Sequence, residues 1–294
     1  MKRKKYAVFT MDVECFADTE CFRSSGIRVD TDLMDGFDEY MRLMDRHGIK
    51  NTLFTVGDLA PKMVDRLLQC VAHGHDLALH NHTHVPPMNE PVEDFREQIR
   101  KAKARMAELF GVEIRGFRAP CFSMDRERLE VLQELGFGYD SSYLNYERAR
   151  HTVDMDMQDY RQLRRSVFHK DGFYEFGLST GRVMGLPFPV SGGGYVRLTP
   201  WWFSKPLIRR YVRENDYYVF YLHPFEMTRR KIPFVRGLKA YDQYYIRRGI
   251  RMYRKRVEWI IRKLQKQEFE FVTFAQLTQI LNREHAPDAA GTGA

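Results

Sequence analysis

Leu77-Ala78-Leu79-His80-Asn81-His82-Thr83-His84 decides how this chain is read. A short apolar run fits a buried strand, and it stops at once in three histidines within five residues. Imidazole is the commonest protein metal ligand and binds without first losing a charge at neutral pH. On a continuing strand, His80, His82 and His84 share one face. If the chain coils after His80, then His80 and His84 meet at i,i+4. Both geometries bring His80 and His84 together. The plain alternative, a polar loop with scattered histidines, suits a lone histidine better than this cluster.

The same pattern recurs along the chain. The apolar run 6–10 ends in Asp12-Val13-Glu14, 116–117 in Arg118-Ala119-Pro120, 138–139 in Asp140-Ser141-Ser142, and 217–222 in His223-Pro224. Further strands are expected over about 51–56, 173–176 and 269–273. Helical spacing predicts helices over about 32–47, 61–72, 92–110, 125–135, 200–214 and 242–266. Residues 148–171 are polar and irregular, 191–194 read as a flexible loop, and 285–294 as a disordered tail. Strands alternating with helices imply a parallel sheet, open or closed into a barrel. With no repeat or linker, the expectation is one domain over 1–284. In a parallel barrel the C-terminal strand ends meet on one rim. Asp12, Glu14, His80, His84, Arg118, Asp140 and His223 would then converge, whereas scattered surface charges have no reason to favour strand ends.

Composition narrows the class. The 294 residues are 44% hydrophobic, ample for a core, yet no run reaches the ~20 apolar residues of a membrane span. A basic start is followed by too short an apolar run for a signal peptide, so the expectation is a cytoplasmic protein. Cys15, Cys21, Cys70 and Cys121 form no CxxC pair, which argues against a zinc ribbon or a disulfide framework. A net charge of +8 admits an anionic partner, but no zinc-finger or RNA-binding pattern accompanies it, and nucleic acid is not expected.

Two imidazoles with Glu14 or Asp12 leave coordination positions open, as a catalytic metal site requires. Zinc fits best; Co2+, Ni2+, Mn2+ and Fe2+ also accept such ligands. Two carboxylates at i and i+2 permit one to hold the metal and the other to take a proton from water. His223 suits a general acid, held between a strand and Pro224. Arg118 offers a planar contact to a carboxylate. Taken singly, Arg118 reads as an ordinary ion pair, Asp140 as a turn or cap residue, and His223 as a hydrogen-bonded strand end. Their shared position at strand ends favours a site.

At these residues the chain resembles the polysaccharide deacetylase family with the NodB homology domain, carbohydrate esterase family 4. Thr10-Met11-Asp12-Val13-Glu14, His80-Asn81-His82-Thr83-His84, Arg118-Ala119-Pro120 and Leu222-His223-Pro224 look like four of its motifs, in family order. The resemblance runs over about 6–281 and implies an α/β fold, a distorted (β/α)7-like barrel, with a divalent metal, usually zinc. It implies Asp12 as general base, Glu14, His80 and His84 as ligands, Arg118 bracing Asp12, and His223 as general acid. The segments 192–198 and 223–226 resemble an exopolysaccharide-locus branch, and with Pro120 and Asp140 they place Gly193, Gly194 and Tyr195 at the substrate. Val13 departs from the paired aspartates of many members, His82 is an extra histidine, and Asp140 and Glu175 are candidates for the carboxylate that tunes His223.

The implied reaction removes N-acetyl or related acyl groups from an amino sugar of a cell-envelope or exported polysaccharide or its lipid-linked precursor. A basic helix rich in Arg247, Arg251 and Lys255, with Trp201-Trp202-Phe203 nearby, suits peripheral contact with an anionic membrane at the inner face and a polyprenyl-linked glycan. The plainer reading is a solvated helix face and core aromatics. The rival functions are a non-catalytic carbohydrate-binding protein with a degenerate barrel, and a two-His-one-carboxylate iron oxygenase.

Overall fold

The computed structural model describes residues 3–144 and 155–285. The expected tail falls outside these residues except at His285, which ends the helix Phe274–His285. The strands in chain order are β1 (Lys5–Val13), β2 (Thr52–Thr55), β3 (Asp76–Leu79), β4 (Gly116–Phe117), β5 (Tyr139–Asp140), β6 (Arg161–Arg164), β7 (Val167–Lys170), β8 (Phe173–Phe176), β9 (Thr180–Val183), β10 (Leu186–Pro189), β11 (Tyr217–Leu222) and β12 (Phe269–Phe271). Seven run parallel in the order β11-β1-β2-β3-β4-β5-β8. β12 joins the start of β1, whose end pairs with β2. Helices such as Asp35–Arg46, Val92–Phe110 and Ile250–Lys266 cover the outside. The strand–helix alternation implies the parallel sheet, and the family resemblance implies the curled, distorted barrel that it forms.

Alternation along β1 sorts its side chains. Ala7, Phe9, Met11 and Val13 pack outward against helices. Tyr6 and Val8 face an inner cluster with Phe54, Ala78, Tyr139, Tyr174, Phe176, Tyr217, Val219 and Tyr221. Because a strand repeats every two residues, Thr10 and Asp12 continue the inner row. His80 follows Asp76 and Ala78, and His223 follows Tyr217, Val219 and Tyr221, by the same count. The floor is closed around the half-buried Asp76, whose Oδ2 accepts from Tyr139 (2.6 Å), Thr52 (3.0 Å) and the Ala275 amide (3.2 Å).

Among the described residues β8 and β11 share no strand ladder. Side chains bridge that gap instead: Tyr217 donates to the Gly177 carbonyl (3.2 Å), and the Val219 amide to Ser179 Oγ (2.9 Å).

Three sequence expectations need correction. Within the expected irregular stretch 148–171, residues 148–154 lie outside the described residues, but β6 and β7 form an antiparallel extension of the sheet on β8. Residues 191–194 are not a flexible loop: Gly193–Leu198 is a short helix with Gly192 (φ 63°) at its N-cap. The basic helix expected over 242–266 is two helices, Ala240–Arg247 and Ile250–Lys266, parted at Gly249. Gly249 has φ 82°, and a Cβ there would lie 2.4 Å from the Arg197 carbonyl oxygen. A left-handed non-glycine residue costs roughly 1–2 kcal/mol before any clash. Gly249→Ala should therefore lower Tm by roughly 4–8 °C in calorimetry, from about 2 kcal/mol of destabilisation.

Candidate active site

The rim residues are positioned by ladder hydrogen bonds that continue past the strand ends. The His80 amide donates to the Thr55 carbonyl (2.8 Å), Arg118 to Leu79 (3.0 Å) and Ser141 to Phe117 (3.0 Å). Glu14 follows β1 directly. Glu14, His80 and His84 are all buried, and one ligand atom from each lies within 4.8 Å of the others. Glu14 Oε2 is 2.5 Å from His84 Nε2 and 3.7 Å from His80 Nε2, yet this oxygen accepts no well-aligned hydrogen bond. His80 Nδ1 lies 2.8 Å from the Arg118 carbonyl. A carbonyl only accepts, so Nδ1 carries the proton and Nε2 presents its lone pair to Glu14. Burial pushes Glu14 upward, but the charges of His84 and His223 outweigh it and hold the carboxyl well below the usual carboxylate range. An ionised carboxylate and two imidazoles, one ligand atom of each converging on a shared point, make a donor set that fits a divalent cation.

Asp12 stands beside this trio. Arg118, fully buried, donates from Nη1 to Asp12 Oδ1 (2.6 Å) and Thr10 Oγ1 (2.8 Å). Its Nε donates to the Ser141 carbonyl (3.1 Å) and Nη2 to Ser141 Oγ (2.9 Å), while the guanidinium lies 4.0 Å from the Phe54 ring centroid. Four hydrogen bonds and a ring face leave this cation little freedom, so it fixes one oxygen of Asp12. The other, Oδ2, lies 3.9 Å from His223 Nε2.

His223 has partners that sequence reading did not assign. Glu226 occupies the third position of the one-turn helix Pro224–Met227 and accepts from the His223 amide (3.1 Å). The same oxygen is 3.1 Å from His223 Nδ1, which therefore donates and leaves Nε2 facing Asp12. Glu226 is fully buried and paired through Oε1 with Arg197 Nε (2.7 Å). Arg197 Nη1 also donates to the Tyr245 and Arg248 carbonyls, both at 2.6 Å. Burial opposes the charged form of His223, but Glu14, Glu226 and Asp12 overcome it and raise the imidazole to about 9. Arg197 and His223 likewise overcome burial to keep Glu226 below the usual carboxylate range. At neutral pH His223 is an imidazolium with a proton on Nε2. The Pro-x-Glu spacing after His223, a capping-box arrangement, was the sequence signal for Glu226.

Other expectations fare differently. His82 points away from the trio towards Asp58 (Nε2 to Oδ1, 3.4 Å). The cause is Asn81, whose φ of 62° ends the strand alternation and whose Oδ1 accepts from the His82 amide (2.8 Å). Asp140 does not face a substrate, because Tyr139 and Ser141 take the inner positions. It is fully buried, its Oδ1 accepting from Ser142 Oγ (2.9 Å) and its Oδ2 from the Ser142 amide (3.0 Å). Its strand partner is Glu175, which accepts from the Ser142 and Tyr143 amides (3.1 and 2.9 Å). Burial raises both carboxyls, Asp140 to about 6. Neither is hydrogen-bonded to His223; that place belongs to Glu226. Pro120 and Gly193 are buried, while Tyr195 is exposed. Gly192 and Gly193 let the start of their helix lie on Tyr221, since Cβ atoms there would stand 2.1 and 2.8 Å from its ring and hydroxyl. Gly194 does the same against Tyr245, at 2.8 Å. These glycines back the wall beside His223, whose ring meets that of Tyr221 edge-on at 5.7 Å.

An incomplete parallel barrel thus carries a Glu-His-His cluster, a braced aspartate and a carboxylate-held histidine on one rim. Residues 22–139 match the family model described as polysaccharide deacetylase, and residues 141–279 match one described as a domain of unknown function, DUF3473. By that match residues 22–139 are a polysaccharide deacetylase domain. It is 26% identical over 131 residues to a peptidoglycan deacetylase-like protein of Gibberella zeae, a match spanning 42% of this chain and 39% of that protein's length. Among solved structures, a Mycobacterium smegmatis protein assigned as a polysaccharide deacetylase superposes with a TM-score of 0.61 at 15% identity, covering 100% of this chain and 96% of that one. A peptidoglycan N-acetylglucosamine deacetylase gives 0.54 at 14%, covering 95% and 90%. A family pseudoenzyme of Bacillus anthracis gives 0.52 at 12%, covering 95% and 66%. At these identities the structures establish the fold.

Glu226→Gln provides a direct check on the histidine's environment. Removing the carboxylate removes a partner that favours the imidazolium, so the His223 pKa falls. The alkaline limb of the kcat profile should move to lower pH by roughly 1–2 units. An unchanged limb would separate Glu226 from the titrating group.

Proposed function

We propose that this chain is a metal-dependent hydrolase. It removes N-acetyl or related acyl groups from amino sugars of a cell-envelope or exported polysaccharide, or of its lipid-linked precursor. One observation carries the reading: Asp12 Oδ2 and His223 Nε2 face each other at 3.9 Å beside the Glu14, His80 and His84 cluster. Zn2+ is the metal we assign on ligand chemistry. A divalent cation held by these three side chains would polarise the acyl carbonyl and acidify a water. Asp12 Oδ2 takes the proton from the attacking water, while Arg118 keeps Oδ1 occupied and the carboxylate aimed. His223 Nε2 delivers its proton to the amide nitrogen as the C–N bond breaks, so a carboxylic acid and a free amine leave. Glu226 and Arg197 hold the imidazole in the tautomer and orientation that this transfer needs.

Support for catalysis over mere carbohydrate binding comes from the proton donor and acceptor both being present and oriented. An iron oxygenase would have no need of a His223–Glu226 pair. Basic residues of 247–263 and the exposed Trp202 support work at the inner face of the cytoplasmic membrane on a polyprenyl-linked glycan. No helix among the described residues is long and apolar enough to cross a membrane. The test is acetate release by the purified chain from N-acetylated oligosaccharides and lipid-linked glycans, with and without a chelator. Metal-replete protein that releases no acyl group from any of them would overturn the proposal.

A further inference from the structure

Away from the Glu-His-His cluster the surface opens into a cavity of about 760 Å³. Its walls are the segment after the Pro224–Met227 turn and the two helices parted at Gly249. Eight of its fifteen lining residues are arginine or lysine, against one acid, Glu258. Glu258 is itself paired with Arg262 at 2.8 Å. Some of these cations are engaged. Arg229 and Arg254 grip the buried Glu39 at 2.7 and 3.1 Å. Arg247, Arg251 and Lys255, by contrast, project from exposed positions and form no ion pair among the described residues. Like charges gathered in one concavity repel, and a protein gains nothing from that arrangement unless an anion occupies it. The volume falls in the range of ligand pockets, roughly 300–1,000 Å³.

Topology places the cavity on the catalytic side. Helix Ile250–Lys266 leads back to β12, which runs parallel to β1. Its N-terminal turns, where Arg251 and Lys255 lie, therefore sit towards the C-terminal ends of the strands, the rim that carries His223. The other wall begins at Met227, the last residue of the turn that holds Glu226. Bonds also join the two places: the Arg248 carbonyl accepts from Arg197, which holds Glu226, which holds His223. Guanidinium groups pair with phosphate oxygens through two parallel hydrogen bonds, which favours phosphate over a simple point anion.

We propose that this polycationic cleft binds a phosphoryl group, the anionic part of a glycan substrate whose acylated sugar lies at the Asp12–His223 site. The identity of that glycan rests on the deacetylase reading; the anion site itself does not. A phosphorylated sugar and a lipid phosphate headgroup offer the same chemistry, and the experiment separates them. The full chain is titrated calorimetrically with inorganic phosphate and, separately, sedimented with phosphatidylglycerol vesicles. Two triple variants are compared: Arg247→Ala with Arg251→Ala and Lys255→Ala in the cleft, and Arg100→Ala with Lys101→Ala and Arg105→Ala on the helix Val92–Phe110. Both remove the same charge from exposed helical positions, and thermal unfolding verifies that each remains folded.

The expected result is that the cleft variant weakens binding about tenfold while the control stays within about twofold of the parent. Cleft-dependent binding of phosphate supports the site with a soluble phosphoryl ligand. Cleft-dependent binding of vesicles without phosphate binding supports it with a lipid headgroup. No binding of either probe, or equal losses in both variants, overturns it. Acetate release is not part of the readout, so failure of the anion site and failure of the deacetylase reading show up in different experiments.

Discussion

His80→Ala and His84→Ala should each yield a folded protein that has lost its divalent metal and, with it, acyl release. The expectation follows from how few ligands there are. Glu14, His80 and His84 supply one donor atom each, and removing one leaves two. Second partners would not compensate: His82 is turned towards Asp58, and Asp12 is held by Arg118. His80 should be the more sensitive of the two to conservative change, because its Nδ1 proton is already committed to the Arg118 carbonyl. His80→Gln would keep the volume and lose the donor. Metal content by elemental analysis decides the matter before any activity is measured. Full occupancy in either alanine variant would remove that residue from the ligand set. Activity should fall by at least about 10³-fold, since water activation by a bound cation is lost outright rather than weakened.

His223→Ala should behave in the opposite way with respect to metal. The imidazole stands beside the cluster without belonging to it, 3.9 Å from Asp12 and bonded to Glu226. Metal content should stay at the parent level while kcat falls by about 10²–10⁴-fold, the usual contribution of a positioned acid. The deficit should shrink for substrates with better leaving groups, for example an acylated aniline, because protonation of the nitrogen then matters less. A variant that loses metal together with activity would show that His223 acts through the cluster rather than on the leaving amine. The same substitution leaves Glu226 with Arg197 and the backbone amide of position 223, and losing one side-chain partner from a buried carboxylate is costly. Modest destabilisation of about 1–3 kcal/mol should accompany the kinetic loss.

Much of this site was legible because strand ends in a parallel sheet announce themselves. Short apolar runs that stop at Asp12, His80, Arg118 and His223 point to one rim from the sequence alone. The parity of each strand was equally available, and a count by two from Tyr139 already sends Asp140 away from the centre. What defeated the sequence were events that depend on a single backbone angle or on distant partners. Asn81 in a left-handed conformation breaks the alternation that would have grouped His82 with His80. Gly249 splits a helix whose polar and apolar periodicity runs on without a signal, because the obstacle is the Arg197 backbone, some fifty positions earlier. Glu226 carried a local signature, yet its importance rests on being fully buried against Arg197, and burial of that pair is a property of the packed molecule. The antiparallel strands β6 and β7 are short and polar on one face, so they read as loop.

The alternation in β1 has a consequence for how this chain tolerates change. Adding one residue anywhere between Tyr6 and Met11 would rotate everything downstream by half a turn of the pleat, delivering hydrocarbon to the pocket and burying the two acids among the outer helices. Adding two would restore the facing but raise the acids by about 7 Å, out of reach of their histidines. For the segment that carries its chemistry, length is thus as strictly fixed as the identity of the side chains.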